Sequence, residues 1–71
     1  TTRQAQYGAP EDNLGRIGAL WSVYVGKPIT AHDVAVMMSL LKIGRIASGV
    51  TVSDNYVDAV AYMGLADRLK S

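Results

Sequence analysis

Lys42 and Arg45 lie inside the most apolar stretch of the chain, three residues apart, and two acids, Asp54 and Asp58, follow them. Residues three apart on a helix share a face. Arginine can hold a phosphate with two parallel hydrogen bonds, and lysine adds a point charge. Asp54 and Asp58 are four apart, so both carboxylates project from one side of a helix's first turn. Such a pair could hold Mg²⁺ together with ligand phosphates. Equally, Asp54 could cap the helix while Asp58 neutralises Lys42 or Arg45. An unpaired buried charge is costly, so the cations must meet these acids, meet an anionic ligand, or extend their heads into water. Tyr56 and Tyr62 flank the acid pair, where each could stack on a base or pack with its hydroxyl outward.

Other chemistry finds less support. His32 stands alone, with no second His and no Cys in the chain, so a helix-terminus or surface role is favoured over metal ligation. Ser22, Ser39 and Ser48 have no visible base partner for a hydrolase triad. Met37 and Met38 fall at core spacing, and Trp21 suits either a core or an interface.

Three helices are expected to position these groups. Residues 1–9 read as an N-terminal arm, and residues 10–71 as a single helical domain. Ala9-Pro10-Glu11-Asp12 is a helix start, with proline in the first turn and acids at the positive end of the dipole. Leu14, Ile17, Trp21 and Tyr24 or Val25 recur at helical spacing. Gly15 and Gly18 weaken that helix but permit close approach of another backbone, and Gly26-Lys27-Pro28 stops it. Thr30-Ala31-His32-Asp33 is a capping box for a second helix that runs to about Ser48 and ends at Gly49. Val34, Met37, Met38 and Leu41 line one of its faces, and Val36, Leu40, Ile43 and Ala47 another. One small partner helix cannot cover both, so this helix is expected at the centre of an assembly. Val50-Thr51-Val52 is too short to assign as a strand. Ser53 or Asp54 caps the third helix, which continues to about Leu69. Its tight-packing stripe is expected at Val57, Val60 or Ala61, and Gly64, with Tyr56 and Met63 beside it. The predicted fold is all-α: a three-helix up-and-down unit with short connections.

Composition bounds the rest. The 71 residues are 49% hydrophobic and only 18% charged, which excludes a disordered chain yet leaves little volume in which to hide apolar surface. Burial in so small a monomer barely offsets the ordering entropy, and with no cysteine no disulfide or thiolate metal site assists. Self-association is the remaining stabiliser, so a homo-oligomer is expected. The seven basic residues are spread along the chain and the net charge is +1, which is not the footprint of a DNA- or RNA-binding protein. No apolar run reaches the roughly 18 residues that span a membrane, and no signal peptide is visible. A cytoplasmic protein is the expectation.

The ordered series Tyr7-Gly8-x-Pro10-x-x-Asn13, Leu20-Trp21-Ser22-x-Tyr24, Asp33-Val34-Ala35-x-Met37-Met38-x-Leu40-Leu41-Lys42-Ile43-x-Arg45 and Asp54-x-Tyr56-Val57-Asp58-x-x-x-Tyr62 covers residues 7–66. It resembles a family of small phage and prophage helical proteins catalogued as a domain of unknown function. Members of that family are sometimes labelled MazG-like, after the all-α nucleotide pyrophosphatases. Departures are small: Gly44 and Val60 stand where alanine is typical, and Ala61 where glycine is. The MazG label implies a four-acid cluster, Glu-x-x-Glu followed by Glu-x-x-Asp, holding Mg²⁺ against a triphosphate. This chain has one glutamate, Glu11, at a helix start, and Asp54 and Asp58 are spaced by four rather than three. Two-metal phosphate chemistry needs more carboxylates.

Binding without turnover is therefore the leading expectation: a phage-encoded oligomer that holds a small phosphorylated nucleotide at a subunit interface, in the manner of proteins that sequester the signalling nucleotides of bacterial immunity. Lys42 and Arg45 would grip phosphate. Tyr7, Tyr56 or Tyr62 would stack on a base, and Asn13, Asp54 and Asp58 would read base or ribose and orient the cations. No catalytic or metal-ligating residue and no cofactor is assigned. The alternatives are a reduced, Mg²⁺-dependent nucleotide pyrophosphohydrolase and a purely structural protein-interaction module.

Overall fold

A computed structural model describes residues 9–50 and 52–70, and among these the chain is all-helical. Helix α1 spans Pro10–Val25, α2 spans Ala31–Ala47 and α3 spans Ser53–Leu69. The arm expected at residues 1–9, Tyr7 included, lies outside the described residues except for Ala9.

Local chemistry sets most of the boundaries. Pro10 opens α1 behind an extended Ala9, with Glu11 and Asp12 in the first turn. Gly26 closes the helix in the left-handed conformation, φ +81°, donating its N–H to the Ser22 carbonyl. The capping box at α2 is complete: the Asp33 N–H donates to Thr30 Oγ1 at 3.1 Å and the Thr30 N–H to Asp33 Oδ2 at 3.0 Å. Ser48 caps the other end, and Gly49 turns the chain at φ +99°. The start of α3 departs from expectation. Its cap is Val52, which makes no side-chain bond, while Ser53 and Asp54 fall inside the first turn. There Asp54 favours the helix dipole without capping it.

Helices α2 and α3 form the main packing unit. The Ser39 hydroxyl donates to the Ala59 carbonyl at 2.9 Å, and Lys42 meets Asp58 three residues further on in α2 and one residue back in α3. The pairs therefore run in opposite senses and describe an antiparallel hairpin. Helix α1 packs chiefly on the N-terminal half of α2, with Leu14, Val34, Ala35 and Ala66 as the buried core and Ile17, Trp21, Ile29 and Leu65 against it. An ion pair at 2.7 Å, Arg68 to Glu11, ties the start of α1 to the end of α3.

The close approach of α1 has a clear cause at Gly18, where an added Cβ would stand 2.6 Å from the Ile29 carbonyl oxygen. Ser22, one turn later, accepts the Ile29 N–H at 2.7 Å and donates to the Gly18 carbonyl at 2.7 Å, locking the α1–α2 connection to the helix. Gly15 has open space around it, so only one of the two glycines serves as a backbone contact.

The packing stripe of α3 is a correction. Val57 and Val60 are 63% and 74% exposed, Gly64 faces open space, and Met63 is exposed as well. The buried stripe instead runs Asn55, Ala59, Tyr62, Ala66 and Leu69, on the opposite side of the helix. The face that α2 packs on presents Ala59 and Ala66, and there the Ser39 hydroxyl reaches the Ala59 carbonyl. The two-face expectation for α2 meets a similar outcome. Val34, Ala35 and Ser39 are buried, while Met37, Leu40, Leu41 and Ile43 are exposed.

Two predictions follow from this packing. Gly18→Ala should destabilise the fold by about 1–3 kcal/mol through overpacking against fixed backbone, whereas Gly15→Ala should stabilise it by about 0.5–1 kcal/mol through helix propensity; chemical denaturation of the pair checks the sign of each. The second concerns acid. The Thr30 backbone N–H, and after it the Thr30 side chain, hold the Asp33 carboxyl below its ordinary value of 3.8. A depressed carboxylate contributes stability above its unfolded value and loses it as pH falls through the folded one. The melting-temperature gap between the parent chain and Asp33→Ala should therefore be full near neutrality and close once pH drops below the carboxylate range.

Candidate functional site

The core-facing side of α2 carries Ala35, Met38, Ser39, Lys42 and Ile46, which recur at three- and four-residue steps. Lys42 thus stands within a packing stripe rather than beside it. Its side chain is 19% exposed, and its Nζ lies 3.3 Å from Asp58 Oδ2, whose side chain is 43% exposed. The apolar stem fills space against α3, and the charge emerges at the edge of the helix pair, where Asp58 and water both reach it.

Arg45 is one turn further along α2, exposed, and in no ion pair among the described residues. It sits in the last turn, where its charge favours the helix dipole. Asp54 is one turn before Asp58 and also exposed. The antiparallel register sets Arg45 and Asp54 along the same edge as Lys42 and Asp58, so four charged groups line one border of the α2–α3 seam.

The seam holds a further group that motif reading did not single out. Asn55 is 4% exposed, and its Nδ2 is buried without a hydrogen-bond partner. It lies one turn before Ala59 on the buried stripe, level with the stretch of α2 that runs from Lys42 toward Ile46. A donor left unpaired in the interior costs about 1–3 kcal/mol. The signal for it was present in sequence as a polar residue on a four-residue stripe with Ala59 and Ala66, but the stripe had been assigned to the other face.

The aromatic and amide candidates distribute differently. Tyr62 is half-buried and one turn after Asp58, on the same side. Tyr56 is two residues from Asp58, which places it roughly 160° away around the helix, and it is exposed on the opposite border. Asn13 accepts a hydrogen bond from Arg16 at 3.3 Å and sits two residues from Glu11, which binds Arg68. Arg68 is ten residues beyond Asp58, about 15 Å of helix, so the fold does not bring Asn13 to the charged edge. Tyr7 lies outside the described residues. Lys42, Arg45, Asp54, Asp58, Asn55 and Tyr62 form the cluster; Tyr56 and Asn13 stand apart from it.

Metal chemistry would need more ligands than this. Among the described residues no three His, Cys, Asp or Glu side chains are grouped to hold an ion. An open depression of about 360 Å³ lies at the other end of α2, lined by Val25, Ile29, His32, Val36 and Met37 among others, and contains none of the cluster.

The whole of this arrangement falls within a recognised sequence family. Residues 1–70 match the model of a domain of unknown function, DUF6378. The chain belongs to this family. It is 39% identical over 69 residues to the gene 55 protein of Mycobacterium phage L5, covering 96% of the chain and 44% of that protein. To the gene 55 protein of Mycobacterium phage D29 it is 36% identical over 67 residues, covering 94% of the chain and 44% of the relative. The chain therefore spans less than half the length of these curated relatives. No solved structure matches it. The match agrees with the motif series as far as a family of unknown function with phage relatives, and it does not carry the MazG-like label. Among the described residues no helix is long and apolar enough to cross a membrane.

The Lys42–Asp58 pair gives an asymmetric prediction. Removing the acid leaves the ammonium of a packed lysine with water as its remaining partner, while replacing the lysine by a methionine of similar reach keeps the packing. Asp58→Ala should cost about 1 kcal/mol or more, Lys42→Met close to nothing, and the double-mutant cycle should return a coupling of roughly 0.5–1 kcal/mol for so exposed a pair. Urea titrations of the four proteins measure all three.

Proposed function

We propose that this domain of a phage protein binds a small phosphorylated nucleotide along the α2–α3 seam and does not turn it over. One observation carries the reading: the seam gathers donors whose acceptors are not supplied among the described residues. Asn55 Nδ2 is buried and unpartnered, Arg45 has no acid among the described residues, and Lys42 is only partly engaged by Asp58 at 3.3 Å. A phosphate group offers several acceptor oxygens to such a set. Tyr62, on the same side as Asp58, would stack on a base, and Asp54 and Asp58 would accept from ribose or from base amino groups.

Turnover would require metal-held water or a strong base. A reduced pyrophosphohydrolase would have to draw further carboxylates from another subunit or from segments such as those that lengthen the relatives. Sequestration of a host signalling nucleotide in the bacterial cytoplasm is the biological role that binding alone would serve.

The test is a thermal-shift screen of mono-, di-, tri- and cyclic nucleotides, with and without Mg²⁺. A ligand at a hundredfold excess over its dissociation constant should add about 2.7 kcal/mol to stability. Arg45→Ala should erase that shift while leaving the unliganded melting temperature in place. Asn55→Leu should also erase it, yet leave the free protein as stable or more so, because a lost buried donor relieves an unmet hydrogen bond. A flat screen, or an Arg45→Ala chain that no longer folds, would instead make the four charges a structural network. Mg²⁺-dependent pyrophosphate release that disappears in Asp58→Asn would establish the hydrolase.

A further inference from the structure

We infer that a second copy of this chain docks on the side of the α2–α3 layer that carries Leu40 and Ile43 together with Tyr56, Val60 and Met63. All five side chains are exposed, at 48–74%. Leu40 and Ile43 are three apart on α2, and Tyr56, Val60 and Met63 recur at four and three on α3, so each set forms one stripe. The antiparallel register brings both stripes to the same border of the hairpin, away from the border where α1 and the Lys42–Asp58 pair lie. Together they expose on the order of 600 Å² of apolar surface, at the upper end of what soluble monomers carry and the size that marks an interaction site.

Charge and shape choose the occupant. From Val34 to Ala47 the only charged residues are Lys42 and Arg45, and both turn toward the other border. On α3 the same stripe continues to Asp67, four residues after Met63, whose charge is matched by Lys70 at 2.7 Å, so the patch is apolar with a balanced ion pair at one end. A two-fold contact applies one surface to itself, so it must be self-complementary; a neutral, apolar surface meets that condition without any matching of charges. With the exposed Ala47 and Val57 adjoining, the patch nears the size of a standard interface, roughly 800 Å² per partner. Two antiparallel hairpins facing one another along these stripes make a four-helix arrangement, in which Leu40 and Ile43 of α2 are covered as well. The dimer does not depend on the nucleotide reading, because the patch and the charged seam are on opposite borders.

Sedimentation equilibrium of the full chain should give twice the chain mass. Leu40→Glu and Val60→Glu should each raise the dimer dissociation constant at least about 100-fold, since each buries one charge per partner, with helical circular dichroism retained. Val23→Glu, at an exposed apolar position on α1, should leave the mass unchanged. Because the chain has no cysteine, Ile43→Cys and Tyr56→Cys provide a readout that survives poor folding of the charged variants. Mild oxidation should give a covalent dimer from at least one of them and none from Val23→Cys. A monomer at concentrations well above micromolar, or a dimer broken by Val23→Glu and untouched by Leu40→Glu and Val60→Glu, would overturn the assignment and leave the face to another protein segment.

Discussion

Helix α2 has almost nowhere to meet water, and the fold is arranged around that shortage. Between Val34 and Ala47 it offers one serine and two cations among apolar residues and a glycine. Helix α1 covers its N-terminal half, α3 covers the stripe through Ser39 and Lys42, and a third side remains open. Ser39 is tolerable inside only because the Ala59 carbonyl takes its proton. Lys42 is tolerable because its stem packs while its ammonium reaches the border. At the level of Ser39 and Lys42 the facing stripe of α3 offers the small Ala59, whose carbonyl and neighbouring Asp58 meet these two groups.

Backbone punctuation was legible from sequence; the phase of a helix with two apolar faces was not. Pro10, the Thr30–Asp33 box and Gly26 each act through a local bond or a single φ angle, so their effects do not depend on what packs against them. Helix α3 is different. Its two faces, one headed by Val57 and Val60 and the other by Ala59 and Ala66, are separated by half a turn, and hydrophobicity alone prefers the valines. The decision lies in α2, whose serine hydroxyl and close approach need small neighbours. That information is spread over two segments twenty residues apart, and no periodicity within either one contains it.

The charged seam shows the same division. That Lys42 needs a partner was readable, because a cation in an apolar helix is costly unpaired, and the acids at the start of the next helix were one of three outcomes left open, beside an anionic ligand and water. Which acid meets it was not, since Asp54 and Asp58 differ by one turn and the register fixes the choice on Asp58. Asn55 was missed for the reason that misplaced the stripe: on the wrong face it is an ordinary exposed amide. On the buried face its unpaired Nδ2 is the most costly polar group of the described residues, and cost of that kind is retained where something else compensates it.

The two borders of the α2–α3 layer also assign the tyrosines. On one border Tyr62 stands a turn from Asp58 and is half-buried. On the other, Tyr56 shares its stripe with Val60 and Met63, a neighbourhood that suits an aromatic anchor in an apolar contact. A tyrosine held in a subunit contact cannot also stack on a base at the opposite border. Self-association through the apolar border, as proposed, would remove Tyr56 from any ligand and leave the described part of the seam one aromatic, Tyr62, on the side of Lys42 and Asp58. Such a site can distinguish a phosphate and a flat ring, and it has no further aromatic face with which to sandwich that ring. A binding surface of that kind gains its affinity from the charged end of the ligand, so affinity should depend more on the number and placement of phosphates than on the identity of the base.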